Sequence, residues 1–589
     1  MNKKNQSLKE IFETAVKYYK KKDFKTAEIY CYKIYSINPN HLDTLLMLAT
    51  VEALKANFEK AKEFLIKAIE IKPNNVTALH NLATAYKELG KFDEAIDNYN
   101  KVLKLSPKHT NAHYNLGMTF YKSNQLKKAK SFFKKTVDIQ NNFAVAFFWL
   151  ANCHAELKEY NDAISCYQKS LEINPNLVIA YNNLGLVFNS INDFDNAISS
   201  FKSAVKIKPN HAGAYHNLAL TFKNLGKFDD AIRSHEMAIK HEPESLTNYY
   251  YLSELKEEIL DSKLKSKIIK IVERDKANTN NIFGNYLLAK YERKLKNYEQ
   301  ELKYLIIGHQ NYFNLMRKKF ELGVKYCFDD VLKISEGAKV KKNNSIKYNK
   351  IKPIFIVGVP RCGSTLIEKI IGSGKKLISL GEETAVFENY VNKKILEKQS
   401  LDIGNVDEVR DELHDIYLQK GLLSKKNDYI FTDKSLNNFF YLELIKDIYP
   451  DSKIIHCKRD VLSSIVSIFQ NNLTELAWTH NLDNVFKYFD NYFEIIENFK
   501  TAYPNTMYEL EFEKLTTNPL EESKKLMKFC DLPWDKKCLE FYKRKDLSSK
   551  TASNIQIREA IYKHSLSKYL PYKKLLDKYG KSYSWFNRK

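Results

Sequence analysis

At 589 residues the chain is long enough for several domains, each with a sizeable core. Its 94 basic against 71 acidic residues leave a formal charge of +23 without an RNP, helix-turn-helix or zinc-finger pattern, so nucleic-acid binding is set aside in favour of attraction for anionic substrates. The eight cysteines form no CxxC and no histidine-spaced cluster, which argues against a zinc site or a disulfide framework and leads us to expect no metal.

The N-terminal segment, MNKKNQSLKEIFETAV, lacks the apolar core of a signal peptide. No later stretch reaches the roughly 18 apolar residues of a membrane span. A cytoplasmic protein without a membrane span is expected. From residue 8 onward, Pro39, Pro73, Pro107, Pro175, Pro209 and Pro243 fall on one 34-residue lattice, with Asn141 in the missing place. Alanine fills one column, Ala27, Ala61, Ala95, Ala129, Ala163, Ala197 and Ala231. A second small-residue column reads Ala15, Ala49, Ala83, Gly117, Ala151, Gly185 and Ala219. Small residues in register let two helices approach closely, and proline closes each unit. This is the tetratricopeptide (TPR) period, and it predicts a seven-repeat α-solenoid over residues 1–245 with a concave face.

A further column reads Asn81, Asn115, Trp149, Asn183 and Asn217. An amide both donates and accepts, so a ladder of them suits the backbone of an extended polypeptide. The column resembles the asparagine ladder of O-linked N-acetylglucosamine transferases, a likeness that implies a polypeptide partner; solvated asparagines in an asparagine-rich chain are the other reading. Residues 246–350 stay helical in pattern but lose the lattice, with 281–313 resembling a decayed repeat pair. KVKKNNSIKYNK at 339–350 then reads as a solvated linker.

Residues 351–589 read as an α/β domain with a central parallel sheet. The stretch PIFIVGVPRCGSTLIEKIIGSG at 353–374 has an apolar strand, a tight glycine turn and a helix start. Loop amides and a first helical turn aim unpaired N–H groups at one point, which makes an anion cradle. A nucleotide-triphosphatase loop places lysine before the hydroxyl; here Gly363 is followed directly by Ser364 and Thr365, and the cation is Arg361. Further short strand-like runs at 376–380, 429–432, 453–457 and 506–510 alternate with helical spacing, and their C-terminal ends are followed by polar residues. These are Gly381-Glu382-Glu383-Thr384, Thr432-Asp433-Lys434 and Lys458-Arg459-Asp460, with Ser467 eight residues beyond Arg459.

In order and spacing these motifs resemble the sulfotransferases, and PRCGST resembles the PRSGTT loop of the tyrosylprotein-sulfotransferase branch. The resemblance covers about residues 352–572. It implies a P-loop-like sulfotransferase domain using 3′-phosphoadenosine 5′-phosphosulfate (PAPS). By that likeness Arg361, Cys362, Gly363, Ser364 and Thr365 hold the 5′-phosphosulfate, and Arg459 with Ser467 holds the 3′-phosphate. Glu383 is the catalytic base, and Arg361, Lys434 and Ser553 stabilise the transferring group. Phe512 stacks near the adenine, and Lys568, twelve residues after Gln556, contacts the cofactor. The chain departs from the family at Ser435-Leu436, where proline is common, and at Phe512, where the family commonly has tyrosine.

The expected reaction is in-line sulfuryl transfer to a hydroxyl, most simply a tyrosine of a protein bound with help from the repeats. A carboxylate near 4.3 and a phenol near 10 make full prior deprotonation uphill by about 8 kcal/mol, so proton transfer runs late or burial raises Glu383. Three alternatives stay open: a carbohydrate or small-molecule acceptor, a TPR scaffold with an inactive transferase domain, and a P-loop kinase, which lacks its lysine here.

Overall fold

The computed structural model describes residues 2–275, 278–341, 351–423, 429–544, 556–561 and 569–587. The chain divides into two compact units, Met1–Asn217 and Leu218–Lys589.

The first unit is built from antiparallel helix pairs in the expected register, for example Val76–Glu88 with Phe92–Leu105 and Thr110–Lys122 with Leu126–Ile139. Asp23, Asn75 and His109 cap helix starts by accepting the amide three residues on. The two helices of successive pairs are joined through one left-handed residue: Lys22, Ala56, Gly90, Asn124, Lys158 and Asn192, with φ between 59° and 74°. This column lies on the 34-residue lattice yet only one of the six is glycine, so residue type does not betray it. The alanines of the first small column within this unit, Ala27 to Ala197, are fully buried. In the second column the packing alternates. Ala83 and Ala151 share their clusters with Tyr99 and Tyr167. A Cβ on Gly117 would lie 2.7 Å from the Phe133 ring, and one on Gly185 would lie 2.6 Å from that of Phe201.

The second unit opens with the end of the repeat pattern, Phe228–His241, and continues through Leu246–Ser253, Ser262–Arg274, Thr279–Lys294 and Tyr298–Leu315. Among the described residues six strands follow: β1 (Lys339–Lys341), β2 (Lys352–Val357), β3 (Asp402–Asn405), β4 (Ile430–Asp433), β5 (Lys453–Lys458) and β6 (Met507–Glu511). β4-β2-β5-β6 form one sheet, every pair parallel, with Phe355 opposite Asp433 on one side and Ile454 on the other. β2 is buried along five of its six residues, as a continuous apolar run requires. β1 pairs with β3 in a separate two-stranded ladder, and β1 occupies the start of the stretch read as linker.

The strand expected over 376–380 is not formed. Only isolated parallel bridges link Ser379 to Phe431 and Glu382 to Lys434. Leu377 is 65 % exposed, and none of residues 376–380 is fully buried, so the run lacks the apolar burial of an internal strand. One hydrophobic core extends from Leu246 to Phe586 and takes in the helices before the sheet as well as those around it. Among the described residues no helix is long and apolar enough to cross a membrane.

Candidate active site

β2 ends at Val357, and the chain turns through the glycine loop into the helix Ser364–Gly372. A Cβ on Gly358 would fall 2.6 Å from Cys362 Sγ and 2.9 Å from the Cys457 carbonyl oxygen, so glycine lets the loop lie against the end of β5. Gly363 has φ +97°, and a Cβ there would enter the Phe512 ring at 2.3 Å. Arg361 itself stands at φ 68°, in the left-handed region that a residue with a Cβ adopts at a cost of about 1–3 kcal/mol.

This bend sets the cation over the cleft. Arg361 Nε donates to Ser467 Oγ at 3.1 Å. Arg459 Nη1 donates to the Arg361 carbonyl oxygen at 2.7 Å, and its Nη2 donates to the Tyr569 hydroxyl at 3.3 Å. The Arg459 guanidinium lies 4.9 Å from the Phe512 ring centre and 5.8 Å from that of Tyr569. Its Nε is buried without a hydrogen-bond partner. Arg361, Gly363, Arg459, Ser467, Phe512 and Tyr569 line a cleft of about 60 Å³. Five residues expected to hold the nucleotide, Arg361, Gly363, Arg459, Ser467 and Phe512, thus meet at one place. Cys362 differs: its side chain is fully buried against Gly358 and Cys457 instead of lining the cleft. A hydrogen bond with Cys457, supported by Ser364 and Lys434 and opposed by burial, holds the Cys362 thiol below its ordinary range. Burial drives the Cys457 thiol well above it.

On the other side of the loop, the segment carrying the two glutamates is fastened to the end of β4. Thr432 N–H donates to the Ser379 carbonyl at 3.0 Å, Lys434 N–H to that of Gly381 at 3.0 Å, and Glu383 N–H to that of Lys434 at 2.7 Å. Ser435 Oγ accepts from Ala385 N–H at 2.9 Å. Glu383 and Ala385 stand at φ 52° and 48°. Together these fixings present Glu383 Oε1 2.8 Å from Lys434 Nζ, with Glu382 Oε1 at 3.6 Å. Lys434 Nζ also donates to Thr365 Oγ1 at 3.5 Å, which ties the cation to the loop. Burial opposes the Lys434 charge, but Glu383, Glu382 and Glu368 outweigh it and raise the amine above its ordinary range. Lys434 is 3 % exposed and Glu383 39 % exposed, so the carboxylate faces outward from a buried cation.

Tyr569 and Glu368 belong to this assembly and were not anticipated. Glu368 stands in the helix start of the 353–374 stretch but outside the loop residues given roles, and Tyr569 directly follows Lys568. Ser553 and Lys568 lie outside the described residues. The amide column, in the first unit, is half-buried and bonded from repeat to repeat. Asn115 Nδ2 meets His80 Nε2 at 3.1 Å, Asn183 Nδ2 donates to Asn152 Oδ1 at 3.1 Å, and Asn217 Nδ2 donates to Asn182 Oδ1 at 2.9 Å. Asn81 Oδ1 lies 3.3 Å from His80 Nδ1. Trp149 packs edge-on to Tyr121 at 5.0 Å. In the same unit His154, Glu159 and Asp162 bring ligand atoms within 4.8 Å of one another, and Lys130 already pairs with Glu159 at 2.7 Å.

Residues 353–536 match the model of the sulfotransferase family. Tetratricopeptide-repeat models match 83–124, 110–143, 144–177, 178–211 and 200–233, and that of anaphase-promoting complex subunit 3 matches 20–102. The chain carries TPR repeats ahead of a sulfotransferase-family domain. It is similar to protein-tyrosine sulfotransferase A of Caenorhabditis elegans, 24 % identical over 39 % of this chain and 62 % of that one. Protein-tyrosine sulfotransferase 1 of Danio rerio is 26 % identical over 32 % of this chain and 56 % of its own length. An uncharacterized protein of Aquifex aeolicus is 27 % identical over 50 % of this chain and 40 % of its own. The chain therefore spans between 40 % and 62 % of the length of these relatives.

Proposed function

We propose that this chain is a PAPS-dependent sulfotransferase whose acceptor is a protein hydroxyl, with tyrosine the first candidate. The observation that carries the reading is the pairing of two differently built halves at one loop: arginines over the cleft, and a base with its cation at the end of β4. The buried, unpartnered Arg459 Nε, with Arg361 and Ser467 beside it in the cleft, is the feature expected of residues that grip an anionic nucleotide. PAPS, when bound, supplies the sulfuryl group and a phosphate leaving group. Arg361, Ser467 and Arg459 would hold its phosphates, with Ser553 and Lys568 assigned by family likeness alone.

Glu383 takes the proton of the acceptor hydroxyl. Proton transfer accompanies bond formation to sulfur, as the growing bond acidifies the hydroxyl. Lys434 stands 2.8 Å from the same carboxylate, which keeps the base and the charge-stabilising cation at one spacing. The repeats bring the polypeptide, through Asn81, Asn115, Asn183 and Asn217. Their half-buried position and identity with a recurring column support this role. A carbohydrate or small-molecule acceptor would use the donor site in the same way, so the labelled acceptor is the deciding observation.

Purified chain supplied with sulfur-labelled PAPS and a peptide or cell-extract acceptor should label protein without added metal. Arg361→Ala or Glu383→Ala should reduce labelling at least about a hundredfold. Nucleotide binding without transfer to any acceptor would leave the inactive-scaffold reading in its place, and label confined to non-protein material would move the acceptor class.

A further inference from the structure

Glu368 lies on the first helix after the loop, fully buried and away from the cleft lining. Its Oε1 accepts the Thr432 hydroxyl at 2.7 Å, and Thr432 Oγ1 in turn accepts the Gly381 N–H at 3.0 Å. One side chain therefore links three parts of the site: the helix behind the donor loop, the strand end that carries Lys434, and the segment that carries Glu383. Its second oxygen, Oε2, is buried with no hydrogen-bond partner. An ionised carboxylate left half unsatisfied in a dry interior is costly unless nearby cations hold it.

The charged and titratable groups that face it can be named from each packed element. Lys369 is its neighbour on the helix, Lys434 stands at the end of β4, Glu382 sits in the acidic segment and the Cys457 thiol is on β5. Lys369 pairs with Glu382 at 3.4 Å, whereas Lys434 reaches toward Thr365 of the donor loop. The positive field on Glu368 thus comes partly from the cation that serves the donor.

We propose that Glu368 is a positioning residue that ties the base segment to the donor loop and takes up one proton from solvent when the anionic nucleotide binds. The proposal rests on the donor reading given above. When nucleotide charge is placed against Lys434, the field that supported the Glu368 carboxylate is neutralised, and the neutral acid becomes the stable form. Its hydrogen bond from Thr432 survives, because a carboxylic acid keeps an acceptor oxygen. Burial already pushes this carboxyl up to about 7, opposed by Lys434 and Lys369 and helped by Glu382. Nucleotide charge moves it higher still. Above that value the unliganded protein is ionised and the complex protonated, so binding consumes a proton and weakens as pH rises.

The test is calorimetric titration of the full chain with adenosine 3′,5′-bisphosphate in buffers of different ionisation heat. Glu368→Gln serves as the isosteric comparison. The wild-type chain should take up more proton than the variant, and its affinity should fall up to about tenfold more than the variant's between about pH 7 and 8. Equal proton uptake and equal pH slopes overturn the proposal while leaving donor binding intact. Failure of the wild-type chain to bind the nucleotide removes the donor reading and this inference with it. Infrared difference spectra of the wild-type chain give a readout that needs no variant. A carboxylic C=O band should appear on binding, and its absence counts against the proposal.

Discussion

Two residues given chemical roles, Arg361 and Glu383, are held with positive φ, at 68° and 52°. Neither is glycine, so the local backbone is strained by about 1–3 kcal/mol at each and the surrounding bonds must hold it there. For Glu383 those bonds are its own N–H to the Lys434 carbonyl and the neighbouring Ala385 N–H to Ser435. Gly363 is the third such position, and there the side chain is limiting as well as φ, because the Phe512 ring fills its place. Gly363→Ala is therefore expected to cost about 1–3 kcal/mol in urea unfolding and to weaken binding of adenosine 3′,5′-bisphosphate at least tenfold, about 1.4 kcal/mol. Adding Phe512→Ala should relieve the clash but not the backbone, so stability should return only in part. The sequence displays Arg361, Gly363 and Glu383 through their spacing. It does not display Glu368, whose importance comes from a bond to Thr432, 64 positions away.

At the scale of elements, strands with a buried, unbroken apolar run were legible. β2 is such a run, and β5 has four consecutive buried residues. The run at 376–380 begins with an exposed lysine and an exposed leucine, and it survives only as bridges that zip the acidic segment to β4. β1 and β3, three and four residues long and largely polar, carry no periodicity to read. The zip has its own polar pin, since the Thr432 hydroxyl serves both Gly381 N–H and Glu368. Thr432→Val keeps the shape of that side chain and removes both bonds. Leaving buried partners unsatisfied should cost about 1–3 kcal/mol, visible as a lower urea midpoint. Thr432→Ser should retain most of it.

At the scale of the molecule, the lattice made the repeats plain because one column holds alanine in all seven units. Beyond residue 245 the lattice ends, and the helices that follow share the core of the sheet domain. Their joint is polar and buried. Glu301 accepts from Tyr572 at 2.5 Å, Arg293 at 2.6 Å and Gln470 at 3.0 Å. His309 Nε2 donates to the Phe469 carbonyl at 2.8 Å, two residues from Ser467, and its Nδ1 lies 2.9 Å from His480 Nδ1. Burial lowers these histidines to about 4 and about 2. A histidine whose folded value is depressed favours the neutral form, so its stabilising contribution is whole above the unfolded value near 6.5 and is lost as pH falls below it. Urea unfolding of the full chain should lose about 1.4 kcal/mol per pH unit for each histidine between pH 6 and 4.5. His480→Asn should flatten that slope by about half.

The alternation of Ala83–Tyr99, Gly117–Phe133, Ala151–Tyr167 and Gly185–Phe201 places each small residue and its ring within one repeat. Genetic exchange at the proline turns would therefore move matched pairs as cassettes, whereas a crossover between the two helices of a repeat would set alanine against a ring seated for glycine. The array is modular at its prolines and indivisible between them.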